Sequence, residues 1–259
     1  MDKNTFYGHG KLLLTAEYFV LDGAKALALP TQLGQHLRIQ NLSGSNGLLY
    51  WVALNNKQQP WLKTVLDKRD FSCIGTPDDA TIRLSKVLSV CRSLNPAFLN
   101  NDDDVAVETQ LQFPNEWGLG SSSTFIYCLA AYAQVNAYEL LQKTLGGSGY
   151  DVACAGAHTP ILYQRNEFSP IIQEASWNPV FKHHLYFAYQ GKKKLSSEAI
   201  THYKNKLQDK GATIQALSAI TNRILSSATL SEFEQLLQAH EEIIAKSLSL
   251  PKVKEERFA

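Results

Sequence analysis

Three short stretches carry the residues with the clearest chemical capacity: Gly118-Leu119-Gly120-Ser121-Ser122-Ser123, Gly8-His9-Gly10-Lys11 and Gly147-Ser148-Gly149-Tyr150-Asp151. Gly118 and Gly120 let backbone approach a phosphate closely, and the three hydroxyls can add hydrogen bonds or a metal ligand. A loop that feeds straight into a helix also offers unpaired N–H groups and the positive end of the helix dipole, a ready anion site. Phosphoryl transfer needs a phosphate cradle, Mg²⁺ to spread charge, cationic help, and a group that orients or deprotonates the acceptor hydroxyl. The loop, Lys11 and Asp151, with a metal ligand, could supply these roles. Each also has a plainer reading: a strand–turn–helix connection with serine caps, a solvated loop lysine, and an Asx turn at Asp151. The loop is not a Walker A motif, because G-x-x-x-x-G-K-[ST] is absent, nor a Rossmann fingerprint, because Ser123 stands where the third glycine belongs.

The surrounding elements must place these groups. Val105, Val107, Thr109, Leu111 and Phe113 alternate with polar or small residues, the period of a half-buried strand. Phe125 to Val135 has the Ala content and apolar run of a buried helix. A further helix is expected from about Asp79 to before Pro96, and a shorter one from about Asn136 to Thr144, ending at the second glycine cluster. Phe6 to Gly23 reads as strand, turn, strand, with Asp22-Gly23 as the turn signal. Ala26–Pro30, Gln35–Leu42, Gly47–Leu54, Ile161–Tyr163 and Leu185–Tyr189 read as strands, with Asn55–Pro60 a polar loop. Asn101-Asp102-Asp103-Asp104 reads as a solvated turn. Ser197 to Leu248 looks helical, with Ser231 and Glu234 in capping-box spacing and Pro251 ending the last helix. Strands and helices mix without regular βαβ alternation, which indicates an α+β class.

The chain has 259 residues, 44% hydrophobic and 19% charged, with a formal charge of +1. That describes a folded globular protein and gives no reason to expect nucleic acid as a partner. No run reaches bilayer-spanning length, and Leu12-Leu13-Leu14 is too short for a signal h-region. Cys73, Cys91, Cys128 and Cys154 include no C-x-x-C pair, and the seven histidines show no H-x-x-x-H spacing. His183-His184 reads as a strand edge. A soluble cytoplasmic protein with free thiols and no membrane contact is the expectation.

At these motifs the chain resembles the GHMP small-molecule kinases. Gly10-Lys11-Leu12-Leu13-Leu14-Thr15-Ala16-Glu17-Tyr18 is similar to their P-G-K-x-x-L-x-G-E-[HY], and Pro114-x-x-x-Gly118-Leu119-Gly120-Ser121-Ser122-Ser123 to their P-x-x-x-G-L-G-S-S-A. Gly147-Ser148-Gly149-Tyr150-Asp151-Val152-Ala153 resembles the S-G-x-D-x-A turn of the mevalonate kinase branch, and its G-Y-D-[IV]-A form resembles a bacterial subgroup named after that string. The resemblance covers residues 5 to 165 well and the remainder loosely. It implies an α+β, GHMP kinase-like two-domain fold. The N-terminal ATP-binding domain would be ribosomal S5 domain 2-like, over residues 1–165. The C-terminal domain would be ferredoxin-like and incomplete, over residues 166–259.

The resemblance also implies roles. Gly118, Leu119, Gly120, Ser121, Ser122 and Ser123 would hold the ATP phosphates, with Ser122 a Mg²⁺ ligand. Asp151 would be the base, and Lys11 would keep it ionised and stabilise developing charge. Glu139 is the nearest match to a second Mg²⁺ ligand, one residue off in spacing. Glu17 and Tyr18 match a pair that lines the acceptor site; Glu17 is otherwise an ordinary strand-end carboxylate. Lys193, within Lys192-Lys193-Lys194, could attract an anionic acceptor or be a solvated turn.

The implied reaction is ATP- and Mg²⁺-dependent phosphorylation of a small alcohol or phosphate ester by a monomer or homodimer. Mevalonate or phosphomevalonate is the leading acceptor, because Glu17-Tyr18-Phe19-Val20-Leu21 is similar to the phosphomevalonate kinase string E-Y-x-V-L. Three alternatives stay open: an ATP-binding relative without turnover, a diphosphomevalonate decarboxylase-like enzyme, and a binder of another anion. The family's third, C-terminal glycine motif has no counterpart after Gly191. The sequence is then either a fragment or a protein that supports its nucleotide loop without that motif.

Overall fold

The computed structural model describes residues 4–166, 168–189, 191, 203 and 210–252. The chain divides into two compact units: Met1–Lys11 with Thr31–Gly156, and Leu12–Pro30 with Ala157–Ala259. The class is α+β, as the hydrophobic patterning indicates.

Strands β1 (Thr5–Leu13) and β2 (Ala26–Asn41) pair with one another and belong to the first unit up to Lys11 and from Thr31, respectively; β3 (Leu48–Leu54), β4 (Pro60–Asp67) and β5 (Val105–Leu111) continue its sheet in the order β4-β3-β5-β2. β5 lies parallel to β3 and antiparallel to β2, with Val107 opposite both Trp51 and Ile39. Its alternation puts Val105, Val107, Thr109 and Leu111 inward. Against that face pack helices α1 (Asp79–Leu94), α2 (Ser121–Ala133), α3 (Ala137–Thr144) and α4 (Tyr150–Ala155). Trp51, Leu49, Val107, Leu88, Ile126, Leu129, Leu140 and Val152 form one buried cluster, each large side chain contributing about 1.5–3 kcal/mol by burial. α1 starts where Asp78 accepts the Thr81 N–H at 2.7 Å, and α3 where Asn136 accepts from Tyr138 and Glu139.

In the second unit, Ala26–Ala28 of β2 pair antiparallel with β6 (Ile161–Gln164), which pairs with β7 (Ile171–Glu174). Helices α5 (Gly211–Ser226) and α6 (Leu230–Leu248) bring Ile224, Phe233 and Leu236 onto Leu27 and Phe181. Among the described residues no helix is long and apolar enough to cross a membrane.

Several local expectations are corrected. After Leu13 the chain makes a 3₁₀ turn, Phe19–Asp22, in place of a second strand. β2 is one long strand where two were expected, and β4 closes a hairpin over Asn55–Gln59 that the polar Lys63 and Pro60 concealed. Leu185–Tyr189 is not a strand, and His183 and His184 lie in a 3₁₀ turn, not at a strand edge. Asp104 is not solvated: it is 4% exposed and accepts from the Asn46 and Leu48 N–H groups and the Asn46 side chain. The N-cap of α6 is Thr229, two residues before the expected Ser231: Thr229 accepts the Glu232 N–H, and the Glu232 side chain accepts the N–H of Ala228, one residue before the cap.

Candidate active site

The glycine loop sits between the end of β5 and the start of α2. Gly118 has φ 74° and Gly120 φ 88°, left-handed conformations that cost an L side chain about 1–2 kcal/mol. Their surroundings differ. A Cβ on Gly118 would meet open space, whereas one on Gly120 would lie 2.7 Å from Ser123 Oγ and 3.1 Å from Lys11 Cγ. Gly120 is therefore the point at which the loop lies against the lysine stem. Gly10 allows the opposite approach, since a Cβ there would lie 3.0 Å from the Leu119 carbonyl. The Lys11 N–H donates to that carbonyl at 3.0 Å, tying β1 to the loop.

The three serines have separate environments. Ser121 donates to Asn115 Oδ1 at 2.6 Å, and Ser123 is buried and donates to the Gly120 carbonyl at 2.9 Å. Ser122 is exposed in the first turn of α2. Thr124, fully buried, anchors the turn beneath them by donating to Gln35 Oε1 at 2.7 Å. The first N–H groups of α2 have no partners within the helix, so the exposed hydroxyl and open glycine share its electropositive end.

Asp151 lies in the first turn of α4, which Gly149 opens with φ 88°. Tyr150, beside it, lies 5.4 Å in ring-centroid distance from Lys11 Nζ. Burial pushes the Lys11 amine down, but Tyr150 and then the Asp151 carboxylate outweigh it, and the net direction is up. Burial pushes the Tyr150 phenol up in turn. It is therefore neutral near pH 7, and it favours the Lys11 ammonium through a side-chain hydrogen bond, with Asp151 acting in the same direction. Cys154, one turn further along α4, is driven up to about 12 by burial and then by Asp151, so it is an inert thiol. Lys11, the glycine loop and Asp151 thus come together in one unit. Tyr150 is the participant to which the sequence assigned no role; its signal was an aromatic ring directly before the aspartate at a helix start.

The other expected site residues have different settings. Glu139 pairs with Lys143 at 3.7 Å along α3. Among the described residues no group of three or more His, Cys, Asp and Glu could hold a metal ion. Glu17 and Tyr18 belong to the second unit, Glu17 exposed and Tyr18 partly buried. Burial, then Glu17, pushes the Tyr18 phenol up to about 12. Lys193 and its neighbours Lys192 and Lys194 lie outside the described residues.

No protein-family model matches the chain, and no curated protein matches it in sequence. Solved structures do match in fold. L. major mevalonate kinase in complex with R-mevalonate is 15% identical, over 95% of this chain and 76% of that one, with a TM-score of 0.60. Streptococcus pneumoniae phosphomevalonate kinase in complex with phosphomevalonate and AMPPNP is 12% identical, over 94% and 80%, with a TM-score of 0.67. Lactococcus lactis galactokinase complexed with galactose is 12% identical, over 97% and 77%, with a TM-score of 0.60. The chain therefore has the α+β fold shared by these kinases of the GHMP group.

Proposed function

We propose that this chain is a small-molecule kinase. It transfers the γ-phosphoryl group of ATP to an oxygen of a small anionic acceptor, with mevalonate or phosphomevalonate the leading candidates. The observation that carries this reading is the Lys11 bridge: its backbone is bonded to Leu119 of the glycine loop, and its ammonium lies over the ring of Tyr150, the residue directly before Asp151.

The residues fit the nucleotide. Gly118 leaves open space, Gly118 and Gly120 hold φ values that only glycine adopts without strain, and α2 begins at the loop. The backbone from Gly118 to Ser123 would hold the phosphates. The donor set also fits Mg²⁺, a hard cation that takes few protein oxygens and keeps phosphate and water ligands. The Ser122 hydroxyl, exposed at the loop, would be one ligand, and Glu139, paired with Lys143 in this structure, would have to turn from that partner to be a second. Bound there, Mg²⁺ would neutralise charge on the phosphates.

The protein's own part is positioning and proton transfer. Asp151 accepts the proton of the acceptor hydroxyl, where there is one, as the new O–P bond forms and the bond to the β-phosphate oxygen breaks, releasing ADP. Lys11 stabilises the charge that develops on the transferred group. Glu17 and Tyr18 contact the acceptor. Support for this acceptor class comes from the Glu17-Tyr18-Phe19-Val20-Leu21 string and from neighbours in fold that hold R-mevalonate and phosphomevalonate.

ADP release assayed with mevalonate, phosphomevalonate, homoserine and galactose tests the reading. Acceptor-dependent release with mevalonate or phosphomevalonate is expected. Carbon dioxide release from diphosphomevalonate would instead identify a decarboxylase. Thermal stabilisation by Mg·ATP with no turnover of any acceptor would identify a nucleotide-binding protein.

A further inference from the structure

The turn that carries Glu17 and Tyr18 is strained. Ala16 has φ 62°, and Tyr18 has φ 65° and ψ −48°. The Phe19 N–H donates to the Glu17 carbonyl at 2.8 Å, two residues back. A three-residue turn with positive φ at its centre is the rare, strained form of γ-turn. Such strain persists only where the surroundings over-determine it, and it collects at ligand-contacting segments.

Within the second unit the flanks of this turn are braced. The Thr15 hydroxyl accepts the Leu27 N–H at 2.8 Å and lies 2.8 Å from the Thr221 hydroxyl. Asp22 accepts from the Tyr203 hydroxyl at 2.5 Å and from Lys210 Nζ at 2.7 Å, while Tyr18 stacks on the Tyr203 ring. At the strained backbone itself the Val20 N–H closes onto the Ala16 carbonyl at 2.9 Å, and His240 makes a contact from outside the turn. The Ala16 N–H, at a wholly buried residue, donates to His240 Nε2 at 2.7 Å. That bond fixes the tautomer, because an accepting Nε2 leaves the ring proton on Nδ1.

We propose that His240 is a positioning residue: by accepting the Ala16 N–H it fixes the strained turn that presents Glu17 and Tyr18 to the phosphoryl acceptor. The inference rests on the reading of Glu17 and Tyr18 as acceptor contacts. Its particular content is that a buried imidazole on α6, touching neither reactant, sets acceptor affinity. A side chain with an acceptor oxygen at the reach of Nε2 can take its place; a shorter or apolar one cannot.

The test compares His240→Gln, His240→Asn and His240→Leu with the unchanged protein in two measurements. Hydrogen exchange of the backbone over residues 14–23 should quicken about tenfold or more in His240→Leu and His240→Asn, and return close to the wild-type rate in His240→Gln. In the ADP-release assay, the acceptor KM should rise about tenfold or more in His240→Leu and His240→Asn, while kcat and the KM for ATP move less than about threefold. His240→Gln should recover the acceptor KM. Should His240→Leu fail to fold, the Asn and Gln pair, both polar and differing in reach, still decides. Equal exchange in all variants overturns the proposal, and so does an unchanged acceptor KM in an active His240→Asn. If the unchanged protein turns over neither mevalonate nor phosphomevalonate, the kinase reading fails, and the exchange rates still report whether His240 holds the turn.

Discussion

The N–H of Lys11 donates to the carbonyl of Leu119 at 3.0 Å, so the strand bearing the lysine and the loop bearing the glycines are one hydrogen-bonded piece. A Cβ at Gly120 would lie 3.1 Å from Lys11 Cγ, so the lysine stem passes close to the loop's backbone there. This relationship makes the two glycines of the loop unequal in a way their sequence positions do not show.

Gly118→Ala and Gly120→Ala should separate accordingly. Both place an L side chain at positive φ, a penalty of about 1–2 kcal/mol. Only Gly120→Ala also drives a methyl group into Ser123 Oγ and the Lys11 stem. Urea unfolding should show a larger loss for Gly120→Ala, and its KM for ATP should rise about tenfold more than that of Gly118→Ala. Equal losses would mean that the loop does not lean on Lys11.

Lys11→Met should lower kcat about 100-fold or more while leaving the fold intact, because it removes the charge beside Asp151 but keeps an apolar stem of similar length. Steady-state kinetics with saturating acceptor, with circular dichroism as the fold control, measures this. Tyr150→Phe keeps the ring against the ammonium and should have the smaller effect of the two.

His240 should give the protein a component of acid sensitivity. Burial lowers its imidazole from the ordinary 6.5 to about 4. The unfolded chain then takes up a proton before the folded one does, so this contribution is complete above pH 6.5. It is lost as the pH falls toward 4, by about 3 kcal/mol in all. Urea unfolding at a series of pH values should show that slope in the wild type and a shallower one in His240→Gln.

The core of the candidate site was legible in the sequence because its signals are local. Alternation from Val105 to Leu111 marks the strand, the alanine-rich run marks α2, and glycines at Gly118, Gly120 and Gly149 mark the positive φ values between elements. What lay hidden depends on distant partners. His240 meets Ala16 across 224 residues, and no periodicity reports such a pair. The run Asn101–Asp104 looks solvated by composition. Yet the backbone at Asn46 and Leu48 turns two N–H donors onto Asp104, and Lys68 donates to Asn101 and to the Asp103 carbonyl. The 3₁₀ turn at Phe19–Asp22 reads as a strand because Phe19, Val20 and Leu21 are apolar, although all three are buried by tertiary packing.

Asp104→Ala should lower the melting temperature without changing the KM for ATP. It removes the buried carboxylate, 4% exposed, that accepts the N–H groups of Asn46 and Leu48, and these two lie far along the chain from Gly118–Ser123. Thermal unfolding alongside steady-state kinetics measures both, and a change confined to the KM would contradict the structural assignment.

The most direct test of the central claim is the rate at which phosphorylated acceptor forms in wild type and Asp151→Asn, followed by ³¹P NMR with Mg·ATP and mevalonate or phosphomevalonate. Acceptor-dependent product is expected in the wild type, with a fall of about 100-fold or more in Asp151→Asn and unchanged stabilisation of both proteins by Mg·ATP. Equal product formation by the two proteins would contradict it.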